Sequence, residues 1–228
     1  AAGSMVIVNT VVYVRNLLGG SEQDVALFYA SAGLGSMIVA LTLPRLLEHR
    51  SARPVMLAGG ALLALSLSAG FAAETYLQAL AAWCAIGVGS SMVMTPSGLL
   101  LRRSCHAEDR TDLFAAQFAL SHACWLVTYP LAGWLATSFG MGTAFATLAI
   151  GAAAGLSAAF LLWPGHDPAE LEHEHEELIH EHPVSDDGHH EATHHVPVDP
   201  SGQTHRHRKV RHRHAFVIDD HHTAWPRG

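Results

Sequence analysis

Residues 113–163 read LFAAQFALSHACWLVTYPLAGWLATSFGMGTAFATLAIGAAAGLSAAFLLW, a stretch of 51 residues without a single Asp, Glu, Lys or Arg. A helix of about 20 mostly apolar residues crosses the hydrocarbon core of a bilayer. The stretch is therefore long enough for two crossings, and Ser138–Gly142 provides a natural break between them. We predict two transmembrane helices here.

Other uncharged stretches precede this one. Val25–Pro44 and Pro54–Ala73 each span 20 residues, and Thr75–Leu101 spans 27. Ala1–Val14 is shorter and becomes a plausible crossing if it extends to about Leu18. Helices of soluble proteins carry a polar face, which these stretches lack. We predict an all-α membrane protein with six transmembrane helices in residues 1–163.

Arginines lie in every second loop between the predicted transmembrane helices. They follow the second and fourth segments, whereas residues 19–24, 72–76 and 138–142 contain no Lys or Arg. This alternation is the positive-inside pattern and places the arginine loops and both chain ends in the cytoplasm. Arg15, at the outer end of the first segment, is expected to snorkel or to face a cavity. The loop arginines are Arg45, Arg50, Arg53, Arg102, Arg103 and Arg110.

Polar residues at membrane depth are candidates for a transport path, because they are unfavourable there without a partner. Four residues form this candidate set: Asn9, Gln117, His122 and Cys124. His122 is the main candidate, as a metal ligand or proton carrier. The alternative role for His122 is a single interhelical hydrogen bond.

Helical spacing predicts two neighbouring faces on the fifth segment. Gln117, Ser121 and Cys124 share one of them. The other carries Phe118, His122, Trp125 and Tyr129.

Residues 164–228 form a polar tail with a different composition. It holds 15 of the 18 histidines and 13 of the 20 acidic residues. Fourteen of these histidines occur as HxH or HH pairs, which suit Zn, Cu or Ni. The paired histidines are His173, His175, His180, His182, His189, His190, His194, His195, His205, His207, His212, His214, His221 and His222.

We interpret the tail as a largely disordered chelator of labile Ni²⁺, Co²⁺ or Zn²⁺, with no tightly bound cofactor. A solvated linker and a pH-sensing tract are the alternatives. Asp167 followed by Pro168 and Glu170 predicts a helix start. The basic segment His205–His214 would contact anionic lipid or pair with the acidic segment upstream. Nucleic acid is not expected as a partner, since no aromatic residues are interleaved for base stacking.

Six crossings, two arginine-bearing inner loops and short outer turns resemble the C-terminal half of a major facilitator superfamily transporter. The loop Leu43–Pro54 lies where that family carries a basic loop motif, although the motif's Gly and Asp are absent. The resemblance implies a twelve-helix protein with a substrate path between its two halves. The chain opens Ala1-Ala2-Gly3 without a Met, so we expect a fragment whose partner is a missing N-terminal six-helix half.

A facilitator-type bundle with a histidine-rich cytoplasmic tail resembles the Nre-type nickel-resistance exporters of bacteria. The resemblance implies export of a divalent metal ion, most readily Ni²⁺, by proton antiport. The alternative function is export of an organic compound such as a drug or siderophore, with a metal-sensing or buffering tail. A third is a membrane-anchored metal buffer or sensor that transports nothing. No enzymatic activity is expected, because the sequence shows no catalytic constellation and no phosphate-binding loop.

Overall fold

The computed structural model describes residues 2–47, 50–165, 170–175, 178–181, 195–197, 204–207, 210–215 and 218. The chain divides into two compact units, residues 1–104 with 108–167 and residues 105–107 with 168–228. Within residues 2–47 and 50–165 all regular structure is helical. The all-α prediction for the membrane part is therefore confirmed. The predicted domain boundary at residues 163/164 stays a prediction.

The first helical segment alternates between α-helical and π-helical turns. α1 (Ala2–Ser4) leads into a π-helical stretch at Met5–Asn9, and α2 (Thr10–Val12) leads into a second at Tyr13–Leu17. A π-helical turn is wider than an α-turn and shifts the helix faces around the axis. This segment buries Met5 and Val14 together with the polar residues Asn9 and Thr10.

Five long helices follow. They are α3 (Glu22–Leu47), α4 (Ala52–Phe71), α5 (Tyr76–Arg103), α6 (Arg110–Phe139) and α7 (Met141–Leu162). Gly140 separates α6 from α7 with φ +88°, which confirms the break predicted at residues 138–142.

Local sequence also sets the start of α5, whereas two prolines inside helices do not end them. The N-terminus of α5 carries a capping box in which Thr75 Oγ1 accepts from the Gln78 backbone N–H and the Gln78 side chain accepts from that of Thr75. Pro96 and Pro130 lie within α5 and α6, which continue past them.

Glycines let the helices around α5 approach closely. A Cβ placed at Gly35 of α3 would overlap the carbonyl oxygen of Cys84, and one at Gly87 of α5 would overlap that of Ala32. On the other side of α5, a Cβ at either Gly59 or Gly89 would lie 2.9 Å from the other residue's carbonyl oxygen. α5 is thus held between α3 and α4, and α4 also packs against α7.

Four described helices are long and apolar enough to cross a membrane: α3, α4, α5 and α7. α6 has 30 residues, but polar groups such as Gln117 and His122 reduce its hydropathy. The first helical segment is short and irregular. The prediction of six transmembrane helices is therefore supported for four of them.

The described parts of the tail are strands, and the prediction of a largely disordered tail stays a prediction for the tail as a whole. β1 (Glu170–His175) pairs antiparallel with β5 (Val210–Ala215). β4 (Thr204–His207) pairs antiparallel with both β2 (Leu178–Glu181) and β3 (His195–Pro197). The helix predicted to start at Asp167 is wrong for residues 170–175, which form β1. Its proposed start, Asp167–Ala169, lies outside the described residues.

The pairing of β1 with β5 bears on the basic segment of the tail. Of the two partners considered for it, the upstream acidic segment is the one to which the backbone of residues 210–215 is hydrogen-bonded. Contact of this segment with membrane lipid stays a prediction.

Candidate functional site

An aromatic cluster occupies the centre of the helical unit. The rings of Tyr13 and Trp83 stack with their centroids 4.9 Å apart. Phe28 and Phe145 pack edge-on against the Trp83 ring, at centroid distances of 5.1 and 6.1 Å. These four rings join the first helical segment, α3, α5 and α7 in one buried core.

Asn9, a predicted transport-path residue, lies beside this core and is 2% exposed. Its Nδ2 donates to the carbonyl oxygen of Ala132 at 3.2 Å and to Met5 Sδ at 3.3 Å. Thr10, the next residue, accepts a hydrogen bond from Trp83 Nε1 at 2.8 Å. In this conformation both polar side chains link the first helical segment to α5 and α6.

His122 lies on an exposed face of α6, in a row of rings. Its centroid is 3.7 Å from that of Phe118 and 4.6 Å from that of Trp125, whose ring stacks on Tyr129 at 5.9 Å. The shared face predicted for these four residues from helical spacing is therefore confirmed. We call Phe118, His122, Trp125 and Tyr129 the α6 aromatic row.

The hydrogen bond of His122 determines which ring nitrogen is available. Nδ1 lies 2.8 Å from the carbonyl oxygen of Phe118, which can only accept. Nδ1 therefore carries the hydrogen, and in the neutral ring Nε2 keeps a lone pair. Such a nitrogen can bind a proton or a borderline metal ion.

The other candidates on α6 lie apart from Asn9. Gln117 is partly buried, and Cys124 is an exposed free cysteine. The α6 contact of Asn9 is at Ala132, ten residues after His122 and so about 15 Å further along the helix. Among the residues searched in the described part of the chain, no group of three or more His, Cys, Asp or Glu is placed to hold a metal ion.

The C-terminal end of the first helical segment carries a small polar network. Arg15, 48% exposed, forms an ion pair with Glu22. Asp24 accepts hydrogen bonds from the backbone and hydroxyl groups of Ser21, both at 2.7 Å, and from the Tyr76 hydroxyl at 2.9 Å. Arg15, expected to snorkel or face a cavity, is thus paired with an acidic residue across the turn that precedes α3.

At the opposite end of the bundle, Arg53 caps the last membrane helix. Its Nη2 donates to the carbonyl oxygens of Phe160 at 3.3 Å and Trp163 at 3.2 Å. Its guanidinium carbon lies 5.5 Å from the centroid of the Phe160 ring. The C-terminus of α7 therefore lies at the same end of the bundle as the arginine-bearing loop between α3 and α4.

The tail strands place histidines that are distant in sequence opposite one another. His173 is opposite His212, His180 opposite His205, and His195 opposite His207. His175 and His214 also lie in strands, and the predicted ligands His182, His189, His190, His194, His221 and His222 lie outside the described residues. Sequence reasoning missed this pairing, although ELEHEH and VRHRHA both alternate with the two-residue period of a strand.

A family model described as Major Facilitator Superfamily matches residues 1–218. No curated protein and no solved structure matches the chain. The family match agrees with the membrane-spanning helices described above. The chain therefore belongs to the major facilitator superfamily of secondary transporters and is a multi-pass membrane protein.

Proposed function

We propose that this chain is the C-terminal half of a secondary exporter of a divalent transition-metal ion, with Ni²⁺ as the preferred substrate and Co²⁺ or Zn²⁺ as the alternatives. The bundle would move the ion outward in exchange for protons across a bacterial inner membrane. The tail would bind labile ions on the cytoplasmic side and raise their concentration at the entrance. The second six-helix half of the transporter would be supplied by a separate segment.

The observation that carries this proposal is the placement of the histidines. Fifteen of 18 follow residue 165 in a chain whose remainder belongs to a transporter family. Imidazole is a ligand for borderline ions such as Ni²⁺ and Zn²⁺ and a poor one for Mg²⁺ or Ca²⁺. A tail of this composition therefore favours a transition metal as substrate.

The cap on α7 supports a cytoplasmic tail. Arg53 lies in the first turn of α4, next to the loop between α3 and α4 that contains Arg50. The positive-inside rule assigns such arginine-bearing connections to the cytoplasm. Because Arg53 binds the carbonyl oxygen of Trp163, the tail leaves the bundle at that same end. Ions bound by the tail would then be held on the cytoplasmic side of the membrane.

Within the membrane, His122 is the residue proposed to take the ion or the counter-transported proton. Its Nε2 lone pair is positioned by the Nδ1 hydrogen bond to Phe118, and its face of α6 is exposed in this chain. Gln117 and Cys124 on α6 are weaker candidates. Asn9 is a weaker candidate as well, and it would need the first helical segment to separate from α6.

A second function, export of an organic compound, is favoured by the α6 aromatic row. Its three aromatic side chains lie beside one imidazole, an arrangement that can stack against an aromatic or cationic molecule. In that case the tail would act as a metal sensor or buffer. A third function, a membrane-anchored metal buffer, would need no transport path.

Metal accumulation in cells tests these functions. Cells expressing the complete transporter gene would be loaded with Ni²⁺, Co²⁺ or Zn²⁺ and compared with cells expressing the form truncated after Gly165. We expect the intact protein to lower cell-associated Ni²⁺ and the truncation to weaken this effect. Unchanged or higher cell-associated metal would contradict export. In that event, resistance to organic compounds would identify the second function, and its absence the third.

A further inference from the structure

The two-stranded ribbon of the tail brings two separate HxH pairs together. In its register His173 is opposite His212, and Leu171 is opposite His214. Residues two apart along a strand belong to the same face of a sheet. Positions 173, 175, 212 and 214 therefore lie on one face of the ribbon, although about 40 residues separate the two pairs in the sequence.

The other face of this ribbon explains why the register is selected. Glu172 is opposite Arg213, and Glu174 is opposite Arg211. Opposite charges at directly opposed positions stabilise an antiparallel pair. A slip of one residue would remove both pairings and would place His173 opposite an arginine. The charged face thus specifies the register that groups the histidines on the other.

The three-stranded sheet repeats the arrangement with different strands. His180 is opposite His205, and His195 is opposite His207. Since His205 and His207 are two residues apart on β4, all four positions belong to one face. Each of the two tail sheets therefore carries four histidine positions on a single face.

We propose that each tail sheet binds one divalent transition-metal ion through histidines from different strands, and that neighbouring HxH pairs do not act as separate chelators. This deepens the proposed function and rests on its metal-binding tail. Directly opposed residues have Cβ atoms about 4.5–5.5 Å apart, which is compatible with two imidazoles on one ion. The ion would link residue 173 to residue 212, so that metal binding and strand pairing stabilise each other.

The number of Ni²⁺ ions bound by each of several variants tests the proposal. The probe is Ni²⁺ alone, measured by equilibrium dialysis against the full chain in lipid nanodiscs. The variants are H173A/H175A, H212A/H214A and the combination of all four substitutions. A site shared by both pairs predicts that each double variant loses one tightly bound ion and that the quadruple variant loses no more. H166A is the control, because His166 is the one tail histidine that belongs to no HxH or HH pair.

Three results of the dialysis would overturn the proposal. Independent HxH chelators would make the losses add, so that the quadruple variant would lose two ions where each double variant loses one. No loss in any of the three strand variants would also contradict a site at these positions. Equal losses in the strand variants and the control, with further loss in the quadruple variant, would indicate an unstructured chelator.

A charge substitution that keeps every histidine gives a second test. Arg213→Glu adds a carboxylate between His212 and His214, which strengthens Ni²⁺ binding if the HxH pair acts alone. In the ribbon it places Glu opposite Glu172 and should weaken binding by about two- to five-fold. The double exchange E172R/R213E should restore it. Stronger binding by R213E, or no restoration, would contradict the shared site.

These outcomes are independent of transport. If the tail binds Ni²⁺ with the non-additive pattern but the transporter exports no metal, the shared sites stand and metal export is excluded. If export is observed with additive losses, export stands and the shared sites are excluded.

Discussion

The indole Nε1–H of Trp83 donates a hydrogen bond to Thr10 Oγ1 over 2.8 Å, and both side chains are completely buried. This bond joins α5 to the first helical segment at its irregular middle. Next to it, Asn9 binds the carbonyl oxygen of Ala132 on α6. The side chains of Asn9 and Thr10 therefore hold the first helical segment, whose backbone alternates between α- and π-helical turns, against α6 and α5.

Replacing Thr10 by Val should destabilise the protein. The substitution keeps the shape of the side chain but leaves the indole N–H of Trp83 buried without its acceptor, which costs about 1–3 kcal/mol. The unfolding temperature of the detergent-purified chain would be measured by heating samples and determining the folded fraction by size-exclusion chromatography. Thr42→Val is the matched control, since the exposed Thr42 hydroxyl bonds only to carbonyl oxygens of its own helix. Equal stability of the two variants would show that the Trp83 bond is dispensable.

Replacing Gly35 by Ala should disrupt the contact between α3 and α5. The added methyl group would overlap the carbonyl oxygen of Cys84, a backbone atom that cannot rotate away. Overpacking of this kind costs about 1–3 kcal/mol, so we expect lower yield and a lower unfolding temperature.

Gly33→Ala provides the control for this prediction. Gly33 is two residues away on the same helix, and a Cβ there meets nothing within 4 Å. Because Ala favours a helix by about 0.8–1.0 kcal/mol over Gly, this variant should be as stable as the parent or more so. If G33A were as damaging as G35A, close helix packing would not be the cause.

Replacing His122 by Ala should reduce metal export by the complete transporter without changing metal binding by the tail. The substitution removes the Nε2 lone pair proposed to take the ion or proton. Loss of a proton-transfer or ligand group lowers transport by about ten-fold or more if the step limits turnover. Export of ⁶³Ni²⁺ from preloaded vesicles would be compared with equilibrium binding to the same protein. His106→Ala, in the loop before α6, should leave both quantities unchanged, and a full export rate in H122A would remove His122 from the path.

Replacing Arg53 by Gln should loosen the end of α7. The change weakens the bonds to the Phe160 and Trp163 carbonyl oxygens and removes the cation–π contact with the Phe160 ring. Charge-assisted bonds contribute about 1.5–3 kcal/mol when buried, and partial exposure reduces this to about 1 kcal/mol here. Faster hydrogen exchange at residues 160–163 would be the readout. Arg50→Gln, at an exposed position three residues before Arg53, should leave that exchange unchanged.

Several features followed from the sequence because they depend on residues close together in the chain. Long uncharged stretches specified where α3, α4, α5 and α7 form, since a bilayer-length apolar run needs no distant partner to be recognised. The break at Gly140 followed from its local glycines. The α6 aromatic row followed from helical spacing alone, because four residues on one helix keep their geometry whatever packs around them.

The tertiary structure decided which faces meet. The membrane helices are apolar on all sides, so composition could not show that Gly35 contacts α5 or that Asn9 is buried against Ala132. In the tail, the local sequence predicted a helix after Asp167, whereas the strand register joins β1 to β5 across about 40 residues. Short segments in which polar and apolar or charged residues alternate form strands only when a partner segment supplies their backbone hydrogen bonds. The sequence of one such segment does not identify a partner that lies far along the chain.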